Sequence, residues 1–446
     1  MLRRDGGLAA VLGLMVLWGP GPAAAELLYA PEGNRLRRYD IDSIKHPPLR
    51  QDIFIQRASA DPEHGRDING MICLVPDGTG RFISGEDTGQ PSVPPGWGVF
   101  DPDGTQVGKL TATYFVLPMG DPFGCAFDSQ GRLFTTEIGN DVNGPANGQL
   151  IMWFPPFVGF PGAPGTYPNA DHSNNFCKIA IDLGTSTSLA IDEQDRVYVA
   201  SARGSGPNPN GGSVIRFSPP FPSSPDAAGG CGRVDGLGSP LADTTHVEVF
   251  VSDAHLPTPS GIARAHNGNW YIGSVLNGTI GEFTPEGVFV RRVLMPPHPG
   301  LPSDNGNPQG IAVDADGDLY FADLNLVIGP GGIGPGDNGT VRWIHFDEAG
   351  APSDPMIIRD HLAFPDAVSV LPGSIEGCTE NCGTTCTGDC NNDHMVTIEE
   401  LVTGVNIALG NAEITTCDLF DANDDSRATI EELVAAVAAA LNGCPQ

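Results

Sequence analysis

The stretch Asn307-Pro-Gln-Gly-Ile-Ala-Val-Asp314-Ala-Asp-Gly-Asp-Leu-Tyr-Phe-Ala-Asp323 decides the fold. It is a short apolar run, an Asp/Gly turn, then a second run rich in aromatic and apolar residues, which is a hairpin signature. Four further stretches repeat it: Pro122–Glu137, Ser188–Ala200, Pro259–Gly273 and Asn69–Ser84. One copy continues into Gly339–Phe346 and Met356–Arg359, a third and a fourth strand.

Four antiparallel strands recurring every 50–70 residues or so predict propeller blades, because one such sheet cannot cover both its faces and stacking around an axis does. Asp366–Leu371 reads as a lone strand at the end of the repeats, and Leu27–Ala30, Arg35–Tyr39 and Gln51–Ile55 as strands at the start. Together they predict a blade that joins the two ends, the sixth. The expected organisation is a signal peptide over 1–25, a six-bladed β-propeller over 26–373, a Cys-rich linker over 374–388 and a small α-helical calcium-loop module over 389–446.

The Gly-Ile-Ala-Val-Asp-x-Asp-Gly-Asp-Leu-Tyr-x-Ala-Asp pattern resembles the NHL repeat and its gluconolactonase-like relatives. The resemblance implies a six-bladed propeller over 26–373. The same architecture carries lactonases, lyases and plain binding proteins.

Two tail segments share one ligand pattern. Asp389, Asn391, Asp393, Met395, Thr397 and Glu400 occupy positions 1, 3, 5, 7, 9 and 12 of one loop. Asp421, Asn423, Asp425, Arg427, Thr429 and Glu432 occupy them in the other, 32 residues later. Side-chain oxygens at 1, 3, 5, 9 and 12 with a backbone carbonyl at 7 is the spacing of a twelve-residue calcium loop. Position 6, ordinarily Gly for the sharp turn, is His394 and Ser426. The tail resembles the dockerin-like class, two calcium loops each followed by a helix. Leu401, Val402, Val405 and Leu409 are expected to form one apolar face, and Leu433, Val434, Val437 and Leu441 its counterpart. Ile398-Glu399 and Ile430-Glu431 stand where dockerins carry small hydroxyl residues, which argues against a cohesin-like partner. Calcium is expected to hold this small module together.

Composition bounds the partners. Fifty-four acidic residues against 23 basic give a net charge of −31. From Cys386 onward eleven acidic residues face only Arg427, so −10 of it sits there. Such a chain has no electrostatic route to nucleic acid. The N-terminus has Arg3 and Arg4, an apolar Leu8–Trp18 run and Ala23-Ala-Ala25, which reads as a secretory signal. That run is too short to span a bilayer, and membrane insertion is not expected. The ten cysteines, six of them from Cys378 on, then predict disulfides. Cys177–Cys231 is the expected pair in the propeller. A zinc site from Cys378, Cys382, Cys386 and Cys390 is the weaker alternative, because zinc clusters use tighter pairs.

Catalytic signals are sparse. No Gly-x-Ser-x-Gly elbow, Walker loop or His-Glu-x-x-His motif occurs. The gluconolactonase resemblance implies an axial divalent metal held by Glu, Asn and Asp. Asn69 and Asp366 are candidates, while Pro31-Glu32-Gly33 carries its Glu in the wrong local order. His64, His255 and His361 each stand six residues before an inner-strand start, with Asp61, Asp253 and Asp360 just upstream. Three imidazoles converging on one face could hold a transition metal, and three equivalent surface histidines would give the same pattern. Asn277-Gly-Thr279 and Asn338-Gly-Thr340 match glycosylation acceptors but read as Asn-Gly turns. The sequence therefore supports a secreted calcium-binding propeller that presents loops to a glycan or an extracellular protein. The alternative is a metal-dependent gluconolactonase-like hydrolase or lyase at the axis.

Overall fold

The computed structural model describes residues 25–33, 35–56, 67–87, 96–110, 122–138, 148–157, 175–202, 212–236, 238–243, 245–295, 306–329, 332–336, 338–362, 364–375, 387–390, 395–421 and 427–442. Its strands form six antiparallel blades. Blade 1 orders Ser369–Pro372, Glu26–Glu32, Arg35–Asp40 and Gln51–Gln56 from the axis outward. Blade 2 is Asp67–Leu74, Phe82–Asp87, Gly96–Phe100 and Gln106–Leu110. Blade 3 is Pro122–Phe127, Leu133–Glu137, Gln149–Trp153 and Phe176–Ala180. Blade 4 is Ser186–Ile191, Val197–Ser201, Ser213–Ser218 and His246–Val251. Blade 5 is Pro259–Arg264, Trp270–Ser274, Thr279–Phe283 and Phe289–Leu294. Blade 6 is Pro308–Val313, Leu319–Asp323, Gly339–Ile344 and Met356–Leu362. The innermost strand of each blade touches that of the next all the way round, so the ring is closed.

Closure joins the two ends of the repeat region. Ser369–Pro372 pairs with Glu26–Tyr29 in register Glu26↔Pro372 to Tyr29↔Ser369. This is the composite blade expected from the sequence.

The same backbone irregularity marks five innermost strands. Their ladder to the second strand skips two residues, as between Asn69 and Ile72, Pro122 and Cys125, or Pro308 and Ile311. The skipped residues turn towards the axis and meet the neighbouring blade. A Cβ on Gly70 would lie 2.6 Å from the Phe123 carbonyl oxygen, and one on Gly124 would lie 2.7 Å from the Leu189 nitrogen. Glycine is therefore required there by close approach of backbones. Polar side chains complete the seams. Thr187 Oγ1 donates to the Ser260 carbonyl at 2.9 Å, and Ser260 Oγ to the Pro308 carbonyl at 2.6 Å. Gly70 N donates to both Asp366 carboxylate oxygens at 3.2 Å, and Ile72 N to Ser369 Oγ at 2.8 Å.

The cores lie between blades. Trp97, Trp153, Trp270, Tyr198 and Tyr320 are fully buried there. A segment after Ser218 leaves blade 4 and adds two short strands, Arg233–Val234 and Pro240–Leu241, to the outer edge of blade 3. The Cys177–Cys231 disulfide staples it, Lys178 Nζ pairs with Asp235 Oδ2 at 2.6 Å, and Phe221 packs edge-on against Phe134. Cys177 lies inside a strand, although the sequence suggested a position outside one. A second disulfide, Cys73–Cys125, joins the innermost strands of blades 2 and 3. The second disulfide thus ties blade 2 to blade 3, while the first ties the inserted segment to the outer strand of blade 3.

The seam between blades 6 and 1 is stitched by charge. In blade 4 the hairpin carboxylate Asp192 accepts from Gln194 N, Arg196 N and Tyr198 Oη, and Arg196 Nε in the same turn completes the set at 2.6 Å. In blade 6 Asp314 accepts from Asp316 N, Asp318 N and Tyr320 Oη. The residue equivalent to Arg196 is Asp318, so the cation comes from elsewhere. It is Lys45, on the short helix α1 (Ile41–Lys45) of blade 1, whose Nζ lies 2.7 Å from Asp314 and Asp316 and 3.3 Å from Asp318. Burial pushes the Lys45 ammonium down, but its bonds to Asp314 and Asp316 and the nearby carboxylate charges outweigh that and hold its pKa above the usual lysine range.

Candidate functional sites

The tail holds two helices, α2 (Ile398–Ala408) and α3 (Ile430–Asn442). Each begins where its predicted loop ends. Thr397 caps α2 by accepting from Glu400 N, and Glu400 Oε2 returns to Thr397 N at 2.7 Å and takes Thr397 Oγ1 at 2.9 Å. Thr429 and Glu432 repeat the arrangement at 2.7 and 2.8 Å. This reciprocal capping explains why Thr at position 9 and Glu at position 12 start each helix. It also fixes one carboxylate oxygen of each Glu, and the other oxygen of Glu400 is buried.

Glu400 is only 7 % exposed and its Oε1 is buried with no hydrogen-bond partner among the described residues. Asp389 and Glu432 are buried too. Three buried carboxylates in one small module are costly to desolvate, and a divalent cation bound there would offset part of that cost. The donor set is all oxygen, which suits calcium. Asp389, Glu400, Asp421, Glu432, Thr397, Thr429 and the Met395 and Arg427 backbones are among the described residues. Asn391, Asp393, Asn423 and Asp425 lie outside them, as do His394 and Ser426.

Cys390, at position 2 of the first loop, is bonded to Cys417, which stands just ahead of the second. Its sulfur is therefore not a zinc thiolate. Cys378, Cys382, Cys386 and Cys444 lie outside the described residues. Three disulfides suit an oxidising compartment. Among the described residues no helix is long and apolar enough to cross a membrane.

The apolar periodicity of the helices divides in a way the sequence did not indicate. Leu401 and Leu433 turn into the module core with Ile407, Leu419, Phe420 and Ala436. Val402, Val405 and Leu409 face solvent, as do Val434, Val437 and Leu441, with Ile398 and Ile430 each about three-quarters exposed. The expected faces exist, but most of each is surface, in two copies.

The propeller has two unlike faces. At one, strands are joined by tight Asp/Gly turns such as Asp128–Arg132 and Ala265–Asn269. At the other lie the starts of the innermost strands, the ends of the second strands and the residues singled out from the sequence. There the Gly70 amide, next in sequence to Asn69, donates to Asp366, so the Asp366 carboxylate is held by blade 2 backbone. Asn69 Oδ1 is buried without a partner. Met71 leans into the axial opening, its sulfur 3.3 Å from Ser188 Oγ two blades away. Glu32 is committed elsewhere, to Arg37 Nε at 3.0 Å and Tyr39 Oη at 3.0 Å.

His255 Nδ1 lies 2.6 Å from Asp253 Oδ1, and its ring stacks on Phe289 with centroids 4.1 Å apart. Burial pushes the Asp253 carboxyl up, but the bonds from the His255 backbone and ring hold it below the usual range. A carboxylate behind one ring nitrogen is how metal-binding and proton-transferring histidines are oriented. His361 sits exposed with φ 55°, and His64 lies outside the described residues. Among the described residues no three His, Cys, Asp or Glu side chains cluster to hold a metal.

Asn277, read as a turn residue, is in the turn before Thr279–Phe283, where its Nδ2 donates to the His255 carbonyl at 3.2 Å. No local pattern marks the Lys45 latch, whose partners are some 270 residues away.

No family model matches the chain, and no curated protein matches it. Among solved structures, the chain is similar to virginiamycin B lyase from Staphylococcus aureus, at 11% identity and TM-score 0.41, covering 75% of this chain and 87% of that one. It is similar to a protein of unknown function from Bacteroides caccae, at 10% identity and TM-score 0.43, covering 79% and 100%. It is also similar to a gluconolactonase from Xanthomonas campestris, at 14% identity and TM-score 0.38, covering 67% and 83%. The chain is a six-bladed β-propeller with structural neighbours of the gluconolactonase and virginiamycin B lyase type.

Proposed function

We propose that this chain is a secreted binding propeller, whose loop-bearing face takes a glycan or an extracellular protein and whose tail is a calcium-folded attachment module. The observation that carries the calcium reading is Glu400, a buried carboxylate with one oxygen spent on its own helix cap and the other without a partner among the described residues. Calcium would be held by Asp389, Asn391, Asp393, Thr397, Glu400 and the Met395 carbonyl, and by the matching set from Asp421 to Glu432. The bound ion would supply charge neutralisation and cross-linking of loop to helix, with no chemistry on a substrate. The paired apolar stripes, flanked by Glu399 and set in an acidic module, favour a partner with an apolar groove and basic edges.

Calorimetric titration of the chelator-treated full chain with calcium tests this. Two sites are expected, and Glu400→Gln should remove one or weaken it by about tenfold or more. Absence of calcium uptake by the unaltered chain overturns the reading.

A second reading, a metal-dependent hydrolase or lyase at the axis, is favoured by Asn69 and Asp366 lying at one end of the axis, and is opposed by Glu32 being held by Arg37. Metal analysis of the Glu400→Gln, Glu432→Gln chain separates the two. A stoichiometric metal retained in that variant supports the second.

A further inference from the structure

We infer that the C-terminal module is a clamp on the ring-closing blade, tightened when its loops bind calcium; the clamp's control by calcium rests on the reading above. Its contact with the propeller stands on separate observations. Ile53 belongs to Gln51–Gln56, the outermost strand of blade 1. It shares one apolar cluster with Ile407 of α2, Ala436 of α3 and Cys417, Leu419 and Phe420 between the helices. An outermost propeller strand ordinarily shows one edge to water, and Ile53 is only 9 % exposed. The cluster partners of Ile53 all belong to the module, so the module packs on the outermost strand of the blade on which closure depends.

The inner end of that blade is held by the same stretch of chain. Ser369–Pro372 supplies the closing strand, Gly373 N donates to the Ala25 carbonyl at 2.9 Å, and Ile375 packs on the cluster containing Leu27 and Leu371. The chain thus runs from the innermost strand of blade 1 into the module, and the module returns to its outermost strand. Blades 2 to 4 carry the disulfides Cys73–Cys125 and Cys177–Cys231. Among the described residues the seam between blades 6 and 1 has none. A bracket spanning blade 1 stands at a seam where the described residues show no disulfide.

Calcium enters through the helices. Glu400 begins α2 and Glu432 begins α3, and the same helices present Ile407 and Ala436 to the cluster with Ile53. An ion that fixes the two helix starts also fixes the surface that grips blade 1, so local opening of the closing strands becomes linked to ion occupancy.

Hydrogen exchange on the full chain, with calcium and with chelator, tests the clamp. Amides of Glu26–Glu32 and Ser369–Pro372 should exchange about tenfold faster in chelator, while the blade 3 strands change little. Ile407→Ala, on the module side, should reproduce the acceleration in calcium, and Ile53→Ala should do so from the propeller side. If calcium binds by calorimetry and exchange in the closing strands is unmoved, the clamp's control by calcium is wrong while calcium binding stands. If calcium does not bind, the calcium reading is wrong. If Ile407→Ala leaves those amides unchanged in a folded protein, the clamp itself is wrong.

Discussion

Replacing Lys45 with methionine removes a cation that blade 6 takes from blade 1. Methionine keeps much of the apolar stem, so the change isolates the ammonium. What remains is Asp314 and Asp318, both buried, with Asp316 largely in water. Asp314 keeps its two backbone donors and Tyr320, and Asp318 keeps His345 and the Phe346 nitrogen. Each is still hydrogen-bonded, which limits the cost, but two buried carboxylates then face each other without a counter-charge. Breaking a buried pair from one side costs on the order of 3–5 kcal/mol; the retained hydrogen bonds place this case at the lower end, about 3 kcal/mol. With an unfolding entropy of roughly 2 cal/mol/K per residue, a propeller of about 350 residues loses about 4 °C.

The control is Arg196→Met in blade 4. It removes the equivalent cation from Asp192 but leaves no second buried carboxylate and crosses no seam. Arg196 is also more exposed than Lys45, so a loss of about 1 kcal/mol, or 1–2 °C, is expected. Differential scanning calorimetry at neutral pH and fixed calcium compares the two. Equal losses in both variants, or no loss in Lys45→Met, would refute the idea that the ammonium latches the ring.

Two further outcomes follow from the same seams and turns. Gly310→Ala places a methyl against Ala367 Cα and 2.7 Å from the Val368 nitrogen, backbone that cannot rotate away, so a loss of about 2–3 kcal/mol is expected by thermal denaturation; a neutral result would mean that the closing segment shifts freely. In Asp318, Asp192 and Glu282, burial raises the carboxyl pKa, but hydrogen bonds from His345, from Arg196 and from Asn269 and Arg291 outweigh it and hold each below its ordinary range. A depressed folded pKa contributes stability above the unfolded value and loses it as pH falls through the folded one. The melting temperature should therefore be flat above about pH 5 and fall below about pH 4, with the fall reduced in Asp318→Asn; an unchanged profile in that variant argues against this contribution.

Much of the propeller was legible because its signal is local and repeated. Each Asp/Gly turn sits between two apolar runs, so Asp314 or Asp192 marks a hairpin without knowledge of its neighbours. Even closure could be read, since the unpartnered run before Leu371 needed strands and the chain start supplied them. What was hidden depends on distant pairing. Lys45 is an ordinary lysine until Asp318 stands where a turn arginine would. The short strands at Arg233 and Pro240 are two residues each, below any periodic signal, and only Cys231 hinted that the segment was stapled. In the tail, spacing pointed to two matching loops, and the capping by Thr397 and Glu400 falls on residues of that spacing. Periodicity also found an apolar face on α2, but a period says which residues align and not what covers them. Leu401 turned inward while Val402, Val405 and Leu409 met water.

The hydrogen bond between the Ala25 carbonyl and the Gly373 amide means that the propeller's two ends leave it side by side. A unit with adjacent ends can be spliced into a surface loop of another protein as a cassette, or reopened at one of its tight turns as a circular permutant, without stretching either chain. For this protein it also means that anything joined ahead of blade 1 would emerge beside the start of the tail, so that two appended parts would share one anchorage on blade 1 and leave the opposite half of the ring clear.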